Sequence, residues 1–445
     1  MEKTNDRVAP KASLVTLGCP MNQVDSERMI SGFIENGFEI VPEEEADVIV
    51  VNTCGFIESA REESIDTILS IAELKKNGNL KAVVAAGCLA ERYRDDLMND
   101  LAEVDAVIGL SDASRIPEVC SELLSYKMPE KKLYSRALIG YPHMAYLRIS
   151  EGCNHSCSYC AIPMIRGKFR SVPEEKVIAE AHELAGLGIK ELILIGQDTT
   201  FYGRDGGTKN LAGLLERLND VDGIEWIRLL YSHPSHFTDD LIDAYAGLSN
   251  VIPYIDIPLQ HISRNILKQM GRGDSADRLR RLLDTLRERI DGLVLRTSMI
   301  VGFPGETAED FNELADFVRD FRFERLGAFE YSAEEGTRAV SFENTVPAEL
   351  AHERYETIME IQSGISAGFN ESLIGREFDM IIDEQNPESG AAVGRTYMDA
   401  PDIDGNISVD SGVEEGEAFC RVRVTGADTY DLAGEIVRSG GETAG

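Results

Sequence analysis

Three apolar runs near the start of the chain each end on a cysteine: SLVTLGC at 13–19, DVIVVNTC at 47–54 and KAVVAAGC at 81–88. Cys19, Cys54 and Cys88 are separated by 35 and 34 residues, about one strand–helix–strand unit each. Helical stretches lie between the runs, Ser26 to Asn36 and Ile57 to Leu74, and AVIGL at 106–110 reads as a fourth strand. Runs this continuously apolar suit strands buried on both faces, and the alternation predicts an open α/β sheet. Strand ends in such a sheet fall on one edge, where open α/β folds bind ligands. The three cysteines are therefore predicted to share one three-thiolate site. Cysteine is a common core residue, which accounts for one of them more easily than for three at matching positions. Cys120, in a helical run, and Cys420, in the strand EAFCRV, are read as core.

A stretch at 128–143 with two prolines and little periodicity reads as a linker. Beyond it come six strand candidates, AYLRIS (145–150), ELILIG (191–196), IRLLYS (227–232), VIPYIDI (251–257), VLRTSMIVG (294–302) and RLGAFEYS (325–332). Helical runs separate most of them. Six β/α units predict a barrel, complete or partial, with its site at the strand C-terminal ends. From residue 371 the chain changes to short strands and turn dipeptides such as Asp404-Gly405, which predicts a small all-β barrel.

The segment EGCNHSCSYC places Cys153, Cys157 and Cys160 on one short loop just after a strand. Three thiolates on a four-iron cluster leave one iron open to an exchangeable ligand, which suits chemistry better than simple electron transfer. A zinc site is the alternative, with His155 as its fourth ligand.

Charge bounds the partners. The 445 residues carry 44 basic and 78 acidic side chains, a net of −34. So acidic a surface repels phosphate backbones and tolerates a basic partner. Residues 371–445 hold 17 acidic and 5 basic side chains, the densest acidity in the chain. No secretion signal or bilayer-spanning run is seen, so a cytoplasmic protein is expected, and there thiols are kept reduced. Metal binding or catalysis is then the expected use of the eight cysteines.

Taken together, these motifs resemble the methylthiotransferase family of the radical S-adenosylmethionine (SAM) superfamily, over essentially residues 11–440. The matching stretches include LGCPMNQVDSER (17–28), NTCGFIESAREES (52–64), GCLAERY (87–93), AYLRISEGCNHSCSYCAIPMIRGKFRS (145–171) and PLQHISRNILKQMGR (258–272). The chain looks most like the branch that modifies an aspartate of the small-subunit ribosomal protein at the decoding centre; Met21, where that branch usually carries lysine, departs from the pattern. The resemblance implies an N-terminal iron–sulfur domain (11–128), a radical SAM partial barrel (139–370) and a C-terminal antiparallel barrel of the TRAM type (371–440). It implies two four-iron four-sulfur clusters, on Cys19/Cys54/Cys88 and on Cys153/Cys157/Cys160, and two SAM molecules. One SAM yields a deoxyadenosyl radical that takes a hydrogen from the aspartate β-carbon; the other methylates a sulfur that then couples to the substrate radical. Removing such a hydrogen needs a cofactor. The expected partners are a basic ribosomal protein, free or in the subunit, and a low-potential electron donor such as flavodoxin or ferredoxin. No membrane partner is expected, and RNA contact only through the ribosome.

Other positions are weaker. Gln197 and Asp198 follow the strand ELILIG and are candidates for SAM contact, as is Gly302 in MIVGFPGET, where Thr307 and Asp310 also read as a helix cap. No side chain is assigned as catalytic. His261 reads as structural, and Arg166, Lys168 and Arg170 as solvated loop charges. Two other functions compete: a tRNA methylthiotransferase with the same chemistry, which should carry a neutral or basic C-terminal barrel, and a non-enzymatic iron–sulfur carrier, which has no need of the barrel-sized core.

Overall fold

A computed structural model describes residues 9–78, 80–130, 136–206, 210–273 and 275–438, to which every structural statement below refers. Residues 131–135 of the predicted linker and 439–440 of the predicted C-terminal domain lie outside them. The chain divides into two compact units. The first runs to Ile139 and takes in two short later segments, Gly152–Asn154 and Ala161–Lys168; the second holds the rest.

The first unit is a five-stranded parallel sheet, β1 (Lys11–Thr16), β2 (Glu39–Ile40), β3 (Val48–Thr53), β4 (Ala82–Gly87) and β5 (Ala106–Ile108), in the order β2-β1-β3-β4-β5. Its helices are α1 (Pro20–Glu35), α2 (Glu58–Asn77), α3 (Cys88–Arg92), α4 (Arg94–Asp100), α5 (Ile116–Leu123) and the single turn α6 (Ile162–Ile165). Alternate residues of β3 serve two cores. Val48 and Val50 pack with Met29, Phe33 and Ile116, while Ile49 and Val51 pack with Ile68 and Ile71. Burial on both faces is why the run reads as continuously apolar. Helix α1 starts at Pro20, well before the expected Ser26. Proline at the first helical position presets the backbone there, a signal that the polar sequence after it hides. Cys120 is fully buried in the core.

In the second unit, β6 (Met144–Arg148) leads to β7 (Ser150–Glu151), which pairs antiparallel with β8 (Arg170–Ser171). Helix α7 (Glu174–Gly186), β9 (Glu191–Ile195), α8 (Leu211–Asn219), β10 (Trp226–Leu229), α9 (Asp239–Gly247), β11 (Val251–Asp256), α10 (Arg264–Met270), α11 (Ala276–Arg289), β12 (Val294–Val301), α12 (Ala308–Phe321) and β13 (Arg325–Glu330) follow. The six long strands form a parallel sheet ordered β13-β12-β11-β10-β9-β6. Its edge strands do not pair, so the barrel is partial. Thr307 and Asp310 form the capping box of α12.

Helix α13 (Ala348–Glu371) leads into β14 (Glu377–Asn386), β15 (Ala391–Arg395), β16 (Ile407–Val409), β17 (Phe419–Ala427) and β18 (Leu432–Ile436), which close into a barrel. One of its pairings, β16 with β18, is parallel and the others are antiparallel. Cys420 is only half-buried there.

The loop after β15 inserts acidic side chains among the N-terminal ends of the core strands. Asp399 accepts from Arg325 (2.6 Å) and Asp404 from the Tyr254 hydroxyl (2.6 Å), while Arg228 donates to the Tyr397 carbonyl (3.0 Å). The base of the partial barrel is thereby plugged by the small barrel. No helix is long and apolar enough to cross a membrane.

Candidate active site

The three strand-end cysteines sit as their spacing predicts. Cys19 is the N-cap residue of α1, Cys54 follows β3 directly, and Cys88 opens α3 at the end of β4. β1, β3 and β4 are neighbours in the sheet. The turn at Gly18 lies on Cys54: a Cβ there would stand 2.8 Å from the Cys54 Cβ and 3.1 Å from its Sγ. Asn22 ties the strand ends together, its side-chain amide donating to the carbonyls of Leu17 (2.8 Å) and Thr53 (2.9 Å). Burial pushes the Cys54 thiol up, with the nearby Cys19 adding to the shift. Burial likewise pushes Cys88 to about 12; the Arg166 guanidinium opposes this and the other two thiols reinforce it. Two buried thiols, Cys54 and Cys88, pushed up by burial and by the sulfurs beside them, lose their protons together only around a cation, so with the exposed Cys19 this donor set fits a metal centre.

Arg166 corrects an expectation. It is not a solvated loop charge, because its side chain is 2% exposed and held by Asp25 at 3.0 Å. Its Nη2 also donates to Asn22 Oδ1 (2.9 Å) and to Cys88 Sγ (3.3 Å).

The second cysteine set occupies the loop between β7 and β8. The Cys153 amide donates to the Gly167 carbonyl (3.1 Å) within the first unit. In the second unit, Ser158 N donates to the Met270 carbonyl and Ala339 N to the Ser158 carbonyl, both at 2.8 Å. Tyr159 packs against the buried Ile266, Met270, Phe303 and Ala339. Burial holds its hydroxyl well above the ordinary tyrosine range. All three cysteines are half-buried and free of disulfides.

At the C-terminal ends of the core strands, Ser150 Oγ, Gln197 Oε1, Ser232 Oγ and Tyr331 OH are buried and have no hydrogen-bond partner among the described residues. Groups left this way cost stability unless a ligand satisfies them, and a polar cofactor such as SAM fits. Gln197 is one of these groups. Asp198 instead serves as a hub. Its Oδ2 accepts from His155 Nε2 (2.7 Å) and His236 Nδ1 (2.9 Å), and its Oδ1 from Thr200 Oγ1 (2.7 Å) and Phe201 N (3.1 Å). Burial works against the Asp198 carboxylate, but these donors more than reverse it and hold its pKa well below the usual range. Gly302, at φ +72°, has a structural demand of its own, since a Cβ there would stand 2.5 Å from the Ala351 Cβ. Its amide donates to Glu306, which also binds Arg354 (2.9 Å) and His261 (3.2 Å). His261 is fully buried in this network.

Three histidines cluster beside Asp198. His155, from the cysteine loop, stacks on His233 with ring centroids 4.0 Å apart and planes 9° apart. Stacked rings direct their in-plane lone pairs in parallel rather than at one point, and His155 Nε2 is taken by Asp198, so this is a hydrogen-bonded stack rather than a metal cage. The pair S-H-P-S-H in the sequence gives no sign of facing a loop so far back in the chain.

Comparison with known proteins adds the family. Residues 11–109 match the uncharacterized protein family UPF0004, 147–318 the radical SAM superfamily and 374–437 the TRAM domain. A protein of Acetivibrio thermocellus named ribosomal protein uS12 methylthiotransferase RimO is 44% identical, covering 96% of this chain and 98% of that one. Proteins of the same name from Cytophaga hutchinsonii (45%, covering 96% and 98%) and Lachnoclostridium phytofermentans (46%, covering 95% and 99%) match equally well.

The chain belongs to the RimO family.

RimO-family proteins are radical SAM methylthiotransferases, and this one accordingly uses an iron–sulfur cluster and SAM. Among solved structures, the radical SAM methyltransferase TsrM from Kitasatospora setae superposes with a TM-score of 0.55 at 14% identity, covering 80% of this chain and 89% of that one. The cobalamin-dependent radical enzyme OxsB gives a TM-score of 0.52 at 13% identity, covering 79% and 56%. At such identities the likeness is one of fold, and it agrees with a RimO chain built around a radical SAM core.

Proposed function

We propose that this RimO-family chain replaces a β-carbon hydrogen of an aspartate in ribosomal protein uS12 with a methylthio group, using two four-iron clusters and two SAM molecules. The observation that carries the reading is the Cys19/Cys54/Cys88 triad. A radical SAM enzyme needs only its loop cluster to make a radical, and a second three-cysteine site, with Cys54 and Cys88 buried and Cys19 exposed, supplies a place to hold sulfur. The relatives' name supports uS12 as the target.

When bound, SAM and the clusters supply the radical and the sulfur. The chain's own residues do the rest. Cys153, Cys157 and Cys160 hold the radical-generating cluster. Ser150, Gln197 and Ser232 offer hydrogen bonds to SAM, with Gly302 shaping the same end of the barrel. Asp198 orients His155 and His236. The plug after β15 closes the barrel base, and excluding water protects a reactive radical.

The tRNA alternative is disfavoured by charge. Asp399 and Asp404 turn inward, yet Glu388, Asp410, Glu414, Glu415 and Glu417 remain exposed on the small barrel. Such a surface repels a polyanion and suits a basic protein. Mass spectrometry of uS12 from cells with and without this gene tests the proposal: the aspartate should carry the methylthio group only when the gene is present. Equal modification in both refutes it.

A further inference from the structure

We propose that Arg166 is a positioning residue for the centre held by Cys19, Cys54 and Cys88, and that its hydrogen bond to the Cys88 sulfur sets the reduction potential of that centre. The inference rests on the reading above that these three cysteines hold a cluster.

Arg166 stands only six residues beyond Cys160 in the chain, yet it is built into the first unit. Helix α6 packs there: Ala161 and Ile165 form one buried cluster with Cys88, with Leu110 against it. The Arg166 amide closes the turn on the Ile162 carbonyl at 2.8 Å. From that anchor Nη2 reaches Cys88 Sγ at 3.3 Å, Asn22 Oδ1 at 2.9 Å and Asp25 Oδ2 at 3.0 Å. Asn22 is the residue that ties Leu17 to Thr53, so the same guanidinium braces both a sulfur ligand and the strap holding the strand ends together.

Hydrogen bonds to the sulfurs and the charge around an iron–sulfur cluster are the protein's levers on its potential. Reduction adds a negative charge to the cluster, and a buried cation donating to a ligand sulfur favours the reduced form. Asp25 partly offsets that cation. Removing Arg166 should therefore lower the midpoint potential, and neutralising Asp25 should raise it. A purely structural brace would affect cluster retention without shifting the potentials in opposite directions.

The test uses the full-length chain with Cys153, Cys157 and Cys160 all replaced by Ala, so that iron reports the first site alone. After anaerobic reconstitution, iron content and an EPR-monitored redox titration are compared for this parent and for Arg166→Gln, Arg166→Lys and Asp25→Asn in it. The expected result is a lower midpoint in Arg166→Gln, a midpoint near the parent's in Arg166→Lys and a higher one in Asp25→Asn. If Arg166→Gln sheds its iron, the Arg166→Lys and Asp25→Asn titrations decide. Unshifted potentials in Arg166→Gln, or in Asp25→Asn, overturn the role of Arg166. A parent that binds no iron instead overturns the two-cluster reading itself.

Discussion

Arg395, on the small barrel, and Glu191, at the start of β9, form an ion pair of 2.9 Å in which neither side chain is more than 1% exposed. The other Glu191 oxygen takes Arg228 at 2.7 Å, and Arg395 also binds both Asp383 oxygens, at 2.7 and 2.9 Å. Burial alone would raise the Glu191 pKa, but the two guanidiniums reverse this and hold it below the usual range. The small barrel is thus fastened to the core by charges that have no access to water.

Breaking such a network from one side leaves its partners buried and uncompensated, which costs about 3–5 kcal/mol. Arg395→Met is therefore expected to lower the urea midpoint of the second unit by a corresponding amount. An unchanged midpoint would mean that the network holds nothing together.

His233 gives a pH signature. Burial, with the Arg272 charge adding to it, pushes its pKa down to about 2, while the unfolded side chain titrates near 6.5. The folded protein thus keeps His233 neutral where the unfolded chain takes up a proton. The stability at stake is fully present above pH ~6.5 and falls as pH drops from there toward about 2. Between pH ~7.5 and ~5 the loss should be about 2 kcal/mol. Denaturation of wild type and His233→Asn at both values checks this: the variant's pH dependence should be shallower by that amount, and equal slopes would contradict it.

Gly87 has the tightest surroundings at the triad. It sits at φ +93°, and an added Cβ would stand 2.3 Å from Asn52 Oδ1 and 2.6 Å from the Thr53 carbonyl oxygen. Gly87→Ala must move the end of β4 and the Cys88 that follows it. Reconstituted Gly87→Ala should lose the iron held by the first unit and keep that of the Cys153/Cys157/Cys160 loop. Iron and sulfide analysis reads this, and wild-type iron content would count against a shared triad.

Glu388, Asp410, Glu414, Glu415 and Glu417 are exposed where the turn 386–390 meets the loop 410–417. Gln385 donates to the Val413 and Glu414 carbonyls (3.2 and 3.0 Å), and Val413 N to the Gly390 carbonyl (3.1 Å). Replacing Glu414, Glu415 and Glu417 by Lys should raise KM for uS12 several-fold, leave kcat nearly unchanged and flatten the salt dependence of kcat/KM. Unaltered KM would place the substrate contact elsewhere.

Much of this was legible because it is local. Strands buried on both faces announce themselves as apolar runs, and a cysteine ending each one needs only the sheet to be brought to a shared edge. The Thr307 cap was readable for the same reason. What escaped depends on partners far along the chain. Arg166 looks like any loop arginine until Asn22, 144 residues earlier, is seen beside it. The loop after β15 reads as a polar turn, yet Asp404 meets Tyr254, 150 residues away. His233 and His236 gave no hint of His155. Net charge is a sound guide to the barrel's sign but not to its use, because Asp399 and Asp404 bind core residues and Asp383 binds the buried Arg395 rather than lying at the surface.

The most direct test offers the anaerobically reconstituted chain both candidate substrates, purified uS12 and unmodified tRNA, with SAM and a low-potential reductant. Mass spectrometry then follows each. A methylthio group on an aspartate of uS12, with tRNA unchanged, is the predicted result. Methylthiolated tRNA with unmodified uS12 would contradict the account.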